Sequence, residues 1–298
     1  MSAPAAITTG RSLADLSRET RKLILQTVHT AGAGHIGGPL SVTDILVNLY
    51  FDRLRVDPAN PADPDRDRLI LSKGHSSIAL YAVLALRGFF PVEELATFDA
   101  LDSRLQGHPD MKLLPGLDMS SGSLGQGLSP GIGMALGGRL SGRDFRTWVI
   151  LGDGEIQEGQ VWEAAFVASR YRLNTLTAII DSNRLPQFGW PDASGHTRDV
   201  PIDDPGGKFA AFGWNVLETD GHDHAALARA FDAAEAYTAG PTAIVAHTVK
   251  GKGVSFMEGD FMWHATPPNA DQLAQAIAEL DAAAATATAI ATGKEAAR

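Results

Sequence analysis

Cysteine is absent from this 298-residue sequence, and so are long apolar runs and any excess of basic residues. Without cysteine the chain can form neither a disulfide nor a thiolate metal site. No apolar run approaches the roughly 18 residues that a membrane-spanning helix needs, so we expect no membrane partner. Residues 1–10 have no basic stretch followed by an apolar one, so we expect no signal peptide and take the cytoplasm as the expected location.

The charge balance is acidic, with 25 Lys and Arg against 35 Asp and Glu and a formal net charge of −10. General nucleic-acid binding rests on clustered Lys and Arg, so we expect no nucleic-acid partner. An anionic substrate stays compatible with this balance, because one local basic pocket or a metal ion is enough to bind it. The apolar content of 44% is ordinary for a globular protein, and the length is ample for a buried core.

Glycine, in contrast, is plentiful, and the most informative motif is the glycine-flanked acid Gly152-Asp153-Gly154. It directly follows an apolar run at 148–151, and a helix-like stretch at 158–172 leads to a second apolar run that ends at Ser182-Asn183. This order predicts that Asp153 and Asn183 lie at the carboxyl ends of two parallel strands, where ligands bind in open α/β sheets. A carboxylate and an amide oxygen there suit Mg²⁺. The alternative is that Asp153 caps the following helix and Asn183 closes a turn.

Strands and helices alternate along the rest of the chain. Further strands are predicted at 69–71, 214–217 and 243–246, and further helices at 13–28, 41–51, 77–86 and about 223–237. Ser41 is the predicted N-cap of its helix. The pattern predicts an α/β fold with a mostly parallel sheet covered by helices on both faces. We predict a flexible N-terminus at 1–12, one domain at 13–280 and an Ala-rich tail at 281–298.

Several separate motifs, in the same order along the chain, resemble transketolase over roughly residues 13–270. Besides the GDG motif and Asn183 they are Gly34-His35-Ile36-Gly37-Gly38, Leu71-Ser72-Lys73-Gly74-His75, Gln106-Gly107-His108-Pro109, Ser121-Gly122-Ser123-Leu124-Gly125-Gln126-Gly127 and Thr248-Val249-Lys250-Gly251-Lys252-Gly253. The resemblance implies a thiamine-diphosphate-binding fold that uses thiamine diphosphate and Mg²⁺ to transfer a two-carbon ketol unit from a ketose to an aldose.

Carried over residue by residue, the resemblance also implies a site. The implied metal ligands are Asp153, Asn183 and the backbone carbonyl of Leu185. The implied cofactor-binding residues are His75, Gly122, Ser123, Leu124, Gly152, Asp153, Gly154, Glu155, Asn183 and Lys250. Among these, Glu155 also suits the first turn of a helix, and no chemistry is assigned to it. The implied catalytic residues, which would line the channel to the thiazolium and handle the protons of sugar hydroxyls, are His35, His108 and His264.

The resemblance covers only the first domain of transketolase. It therefore implies the N-terminal subunit of a split enzyme, whose partner would be a C-terminal transketolase subunit with the pyrimidine-binding domain, in an expected α₂β₂ assembly. The family's glutamate that activates the cofactor lies in the missing domain, so we expect the isolated chain to be inactive. Glu158 and Glu163 match family positions at the subunit contact.

Two segments depart from the family pattern. Pro186-Gln187-Phe188-Gly189-Trp190-Pro191 replaces an isoleucine-aspartate-glycine run, and Ala265-Thr266-Pro267-Pro268 follows His264 where short family members carry Gly and Lys. Other histidines are interpreted as structural, and His222 and His224, which flank a helix cap, are not interpreted as a metal pair.

Three alternative functions stay open on the sequence. Two are enzymic, namely the α subunit of a 2-oxo acid dehydrogenase and a deoxyxylulose-phosphate-synthase-like fragment. The first is disfavoured by His35, His108 and His264, because an oxo acid offers no run of hydroxyls to bind. The third is a degenerate paralogue that serves as a scaffold, and the intact motifs argue against it.

Overall fold

The computed structural model describes residues 10–187 and 204–295. Within those ranges the chain forms eight α-helices and five β-strands. The strands are β1 Arg68–Leu71, β2 Thr147–Gly152, β3 Leu176–Ser182, β4 Asn215–Asp220 and β5 Thr242–His247. The helices are α1 Leu13–Ala31, α2 Gly37–Asn48, α3 Ser77–Arg87, α4 Leu128–Leu140, α5 Gly159–Arg170, α6 Pro205–Ala211, α7 His224–Ala236 and α8 Ala270–Glu295.

The five described strands form one sheet in the order β1-β2-β3-β5-β4, and every neighbouring pair is parallel. All five therefore end at the same edge of the sheet. In the register, Gly152 at the end of β2 pairs with Asp181 in β3, and Ser182 pairs with His247 at the end of β5. The loops that follow these strands leave the sheet side by side.

Both faces of the sheet are buried, and successive side chains along a strand alternate between them, as a pleated strand requires. Trp148 and Ile150 of β2 join a core with α1, α2, α3, α7 and α8, whereas Val149 and Leu151 join the core under α4, α5 and α6. The predicted α/β fold with a parallel sheet between two helical layers is confirmed.

The predicted start of α2 at Ser41 is wrong. The helix begins at Gly37, with Ile36 at the N-cap and no side-chain cap. Pro39 lies in the first turn, where its missing N–H costs nothing because first-turn donors have no partner within the helix. Ser41 is therefore inside the helix, and its hydroxyl donates to the Gly38 carbonyl oxygen and to the Asp181 carboxylate.

The predicted chain ends fall partly outside the described residues. The described residues do not include 1–9 of the predicted flexible N-terminus or 296–298 of the predicted tail. Helix α8 continues past residue 280, up to Glu295. The division of the chain at residues 13 and 280 stays a prediction.

Candidate functional site

The candidate site lies at the carboxyl edge of the sheet. A cavity of about 450 Å³ opens there, and segments that follow β1, β2, β3 and β5 line it together with the start of α2 and two loops. Its lining residues are His35, Gly38, Lys73, His75, His108, Gly122, Leu124, Gly152, Asp153, Gly154, Glu155, Gln157, Asn183, Leu185, Pro186, Gln187, Lys250 and His264. This position is the one that open α/β sheets use for ligands.

The site residues predicted from the sequence converge on this cavity, with one exception. Ser123 is exposed and does not line it, although its neighbours Gly122 and Leu124 do. Within the first departure from the family pattern, Pro186 and Gln187 form part of the wall. Its remaining residues, 188–191, lie outside the described residues.

The buried carboxylate of Asp153 is held by backbone donors. The Gly154 N–H donates to Oδ1 at 2.8 Å, and the Arg184 N–H donates to Oδ2. Arg184 has φ 61°, a left-handed conformation that is costly for a non-glycine residue and that is common at functional sites. Burial, reinforced by the nearby charge of Asp181, raises the pKa of Asp153 to about 6. A cation beside this carboxylate would offset the cost of its buried charge.

The next residues of the loop after β3 supply two more oxygens. The Asn183 side-chain oxygen accepts from the Leu185 N–H at 3.1 Å, and the Asn183 amide donates to Ser41 at 3.3 Å. The Leu185 carbonyl oxygen accepts from the Lys250 ammonium at 2.8 Å. Carboxylate and carbonyl oxygens have further lone pairs, so these contacts leave each of them able to bind a cation.

Oxygen donors of this kind fit a hard divalent cation that takes one or two carboxylates and completes its shell with water and phosphate. Across residues 10–187 and 204–295 there is no group of three or more His, Cys, Asp or Glu side chains that could hold a metal ion. A metal at Asp153 would therefore rely on the Asn183 and Leu185 oxygens and on oxygens of its ligand.

Two lysines, Lys250 and Lys73, line the cavity. Lys250 is almost fully buried, and besides Leu185 its ammonium contacts Nδ1 of His264 at 2.9 Å. Burial lowers the pKa of Lys250 to about 8, so the side chain is still mostly charged at neutral pH. Lys73, the second lysine, forms a buried ion pair with Asp181. The Lys250 ammonium suits an anionic ligand, whereas the charge of Lys73 is balanced by Asp181.

Four histidines form one wall of the cavity. The His35 ring centroid lies 4.9 Å from that of His75, 5.0 Å from that of His264 and 6.3 Å from that of His108. Burial lowers the pKa of His35, with His108 and Lys250 adding to it, and it lowers the pKa of His264 to about 3, helped by Lys250. Burial also places the pKa of His75 far below its ordinary value, helped by Lys73.

These pKa values leave His35, His75 and His264 neutral at pH 7. A neutral imidazole has one N–H donor and one acceptor nitrogen, and can therefore bind a hydroxyl in either sense. Because the Lys250 ammonium donates to Nδ1 of His264, the proton of that ring is on Nε2. The wall is suited to a polyhydroxylated ligand.

Glu155 lines the cavity but is fully engaged by the protein. Its carboxylate accepts from the Ser72 hydroxyl at 2.5 Å, from the Gly125 N–H at 2.8 Å and from the Gly152 N–H at 3.0 Å. These donors come from three separate motifs. Glu155 therefore fastens the loops after β1 and β2 to the glycine-rich loop at 121–127.

A polar network beneath the cavity was not predicted from the sequence. Asp181, at 0% exposure, accepts from Lys73, from the Ser41 hydroxyl at 2.6 Å and from the Thr248 hydroxyl at 2.5 Å. In the sequence, Asp181 is a charged residue at the end of the apolar run 176–181, and Lys73 lies in the motif that contains His75. Nothing in the sequence indicates that these two residues form a pair.

Comparison with known proteins places the chain in a family. The family described as the thiamine diphosphate binding domain of transketolase matches residues 13–292. The chain is 41% identical over 265 residues to an apulose-4-phosphate transketolase subunit of Phocaeicola vulgatus, covering 89% of this chain and 92% of that protein. It is 42% identical over 262 residues to the 6-deoxy-6-sulfo-D-fructose transketolase subunit SqwG of a Clostridium species, covering 88% and 93%.

A solved structure gives the same result. The transketolase of Campylobacter jejuni matches with a TM-score of 0.82 at 31% identity, over 90% of this chain. The match covers 42% of that transketolase, so this chain spans about two fifths of the full-length enzyme. The chain belongs to the transketolase family, of which it carries the thiamine-diphosphate-binding domain.

Proposed function

We propose that this chain is the diphosphate-binding subunit of a two-subunit transketolase, which transfers a two-carbon ketol unit from a ketose to an aldose. The observation that carries the proposal is the convergence of loops after four parallel strands on one cavity with oxygen donors, two lysines and four histidines. The similarity to two subunits of split transketolases over about nine tenths of their length supports the same function.

Asp153, Asn183 and the Leu185 carbonyl would hold Mg²⁺. The diphosphate of the cofactor would complete the shell and lie against Gly154, with Lys250 close enough to add a positive charge. His75 would contact either the diphosphate or the surroundings of the reacting carbon. The loop Gly122-Ser123-Leu124 would contact the thiazolium and pyrimidine, through Gly122 and Leu124, which line the cavity, and through the exposed Ser123 beside them.

When bound, thiamine diphosphate supplies the electron sink that two-carbon transfer needs. The protein's own part is to orient the sugar and to manage its protons. The neutral rings of His35 and His264, together with His108, would hydrogen-bond sugar hydroxyls, and the N–H at Nε2 of His264 is a donor for such a contact. Oxo acids lack those hydroxyls, which favours transketolase over the dehydrogenase alternative.

A partner subunit with a pyrimidine-binding domain would complete the site, in an α₂β₂ assembly. Helices α4 and α5 offer a surface for a contact between subunits, because large apolar side chains are exposed at their ends and along α5. Leu140 is 86% exposed, Phe166 60% and Tyr171 53%. Contiguous exposed apolar surface commonly marks an interface, so these side chains make α4 and α5 the surface that we propose for the partner. Glu158 and Glu163, predicted at the subunit contact, are exposed on or next to α5.

No helix of the described part of the chain is both long and apolar enough to cross a membrane. The cytoplasm stays the predicted compartment.

The proposal is tested by reconstitution. The chain is purified alone and together with a pyrimidine-domain subunit, and two-carbon transfer is measured with Mg²⁺, thiamine diphosphate and a panel of phosphorylated and sulfonated ketoses. We expect transfer by the pair and none by either protein on its own. A pair that binds the cofactor but transfers no two-carbon unit from any donor would favour the scaffold alternative and contradict the proposal.

A further inference from the structure

His222, in the turn after β4, connects two elements of the fold through both of its ring nitrogens. Nδ1 lies 2.7 Å from Oδ2 of Asp44 in α2, and Nε2 accepts from the Val249 N–H at 2.9 Å. A backbone N–H can only donate, so Nε2 carries the lone pair and the ring proton is on Nδ1, where it is donated to Asp44. Both polar atoms of the ring are thus committed to the protein.

On the α2 side His222 contacts Asp44, whose carboxylate is held by Arg21. Arg21 of α1 donates two hydrogen bonds to Asp44, at 2.6 and 3.1 Å, and both side chains are less than one tenth exposed. Burial raises the pKa of Asp44, but the charge of Arg21 and the hydrogen bonds from His222 and Arg21 outweigh it and lower the pKa overall. Asp44 is therefore an ionised, immobile acceptor for His222.

On the other side the turn lies tightly against the segment that follows β5. The Gly221 N–H donates to the His247 carbonyl oxygen at 2.8 Å, and a Cβ at Gly221 would come within 2.4 Å of a Thr248 methyl carbon. Only glycine permits this approach. Val249 lies beyond the end of β5 at His247, so its N–H has no sheet acceptor and donates to His222 instead.

The residue after Val249 is the lysine of the cavity. Lys250 is 2% exposed, and its ammonium reaches Leu185 and His264 through a buried stem. With so little freedom in the side chain, the position of the ammonium follows the position of its backbone.

We propose that His222 is a positioning residue for the cofactor site: by accepting the Val249 N–H while anchored on Asp44, it fixes the backbone that aims Lys250 into the cavity. This role rests on the proposed function of Lys250 at the diphosphate. It assigns a task to a histidine that does not line the cavity and has no free ring nitrogen to offer a ligand.

Two substitutions separate the two contacts of the ring. His222→Gln places an acceptor oxygen where Nε2 lies and keeps the contact to Val249. His222→Asn places a donor where Nδ1 lies and keeps the contact to Asp44, but leaves the Val249 N–H without its acceptor. We expect His222→Asn to weaken thiamine diphosphate binding about tenfold, the lower end of what loss of a supporting partner costs a site. His222→Gln should bind within about threefold of the wild type.

Binding is measured by calorimetry on the full chain assembled with its pyrimidine-domain partner, at saturating Mg²⁺. The matched control is His247→Gln, because His247 is a nearby histidine, at the end of β5, whose exposed ring pairs with the exposed Glu218. The control should bind as the wild type does. The proposal gives the main effect to the contact with Val249, which His222→Gln keeps. Equal losses for His222→Gln and His222→Asn would mean that this contact has no greater effect than the contact with Asp44 or the packing of the ring, and would overturn the proposal.

A double-mutant cycle tests whether His222 affects thiamine diphosphate binding by positioning Lys250. If His222 acts through that lysine, His222→Asn should change the affinity by less than about twofold once Lys250 is Met, because coupled residues are not additive. Additive losses of affinity for His222→Asn and Lys250→Met would show that His222 does not act through Lys250, and would overturn that part of the proposal. In the wild type, nitrogen NMR should find the Nδ1–H tautomer of His222 and a protected Val249 amide, and an Nε2–H tautomer would overturn the contact itself.

The outcomes also separate this inference from the proposed function. A wild-type assembly that binds no thiamine diphosphate would overturn both. A wild-type assembly that binds it, with His222→Asn binding equally well, would overturn only the role of His222.

Discussion

The buried ion pair of Lys73 and Asp181 predicts a large loss of stability when the lysine alone is removed. The side chains are 3% and 0% exposed. In Lys73→Met the Asp181 carboxylate would lose its cation and keep the hydroxyls of Ser41 and Thr248 as its donors among residues 10–187 and 204–295. Because breaking one side of a buried pair leaves an uncompensated charge, we expect the free energy of unfolding to fall by about 3–5 kcal/mol.

The assay is urea unfolding at pH 7, followed by circular dichroism. The matched control is Arg143→Met, which removes the cation of an ion pair with Asp65 whose side chains are 37% and 65% exposed. An exposed pair contributes about 0–1 kcal/mol, so the control should be close to the wild type. The double variant Lys73→Met with Asp181→Asn should recover part of the loss, because it removes the unpaired charge.

A loss for Lys73→Met no larger than that for Arg143→Met would contradict this expectation. It would mean that the two hydroxyls, or water, are enough to stabilise the Asp181 carboxylate. The ion pair would then not be what holds the loop after β1 against the end of β3.

Three further predictions concern the same edge of the sheet. Gly74→Ala should lower the free energy of unfolding in urea by at least about 1–3 kcal/mol, because the new Cβ would lie 2.6 Å from the carbonyl carbon of Ser121. A smaller loss would show that the loop at Ser121 can move away. Glu155→Gln should cost about 1–3 kcal/mol, since its amide would face the Gly152 N–H with a second donor; unchanged stability in the same assay would contradict the loop-fastening role. The pKa of His264 is lowered from 6.5 to about 3, so between these pH values the unfolded chain binds a proton that the folded chain does not. The free energy of unfolding should therefore fall as the pH drops below about 6.5, and it should fall less steeply in His264→Gln. Parallel pH profiles for the two proteins would contradict this assignment.

The position of the site could be predicted from the sequence because strand periodicity and motif order are local signals. Asp153 follows the run at 148–151 and Asn183 follows the run at 176–181, and parallel strands bring such ends to one edge. The structure confirms that edge for Asp153 and Asn183, which line the same cavity. Their role as metal ligands stays a prediction.

The contacts that hold the site together could not be predicted in the same way. Lys73 and Asp181 are far apart in the sequence, and nothing local to either residue indicates its partner. In the sequence, Glu155 suits the first turn of a helix. Its three hydrogen-bond donors come from loops that come together only in the folded chain, so the sequence does not indicate them. The hydrogen bond from Val249 to His222 likewise depends on how two loops lie at the end of the sheet.

Two of the helix features that the sequence did not predict have a local explanation. Helix α4 contains Gly131, Gly133, Gly137 and Gly138, which disfavour a helix, so no helix was predicted there. Burial of its apolar side chains against the sheet overrides that preference. At α2 the pattern predicts Ser41 as the cap, whereas Pro39, two residues earlier, is the better indication of a first turn.

Cofactor binding by the assembled enzyme as a function of Mg²⁺ would decide whether Asp153 holds the metal of this site. The wild type and Asp153→Ala are each assembled with the pyrimidine-domain subunit, and calorimetry measures thiamine diphosphate binding with and without the metal. We expect tight, Mg²⁺-dependent binding by the wild type and loss of that dependence, with much weaker binding, in the variant. Equal, Mg²⁺-dependent binding by both proteins would contradict the proposed metal site.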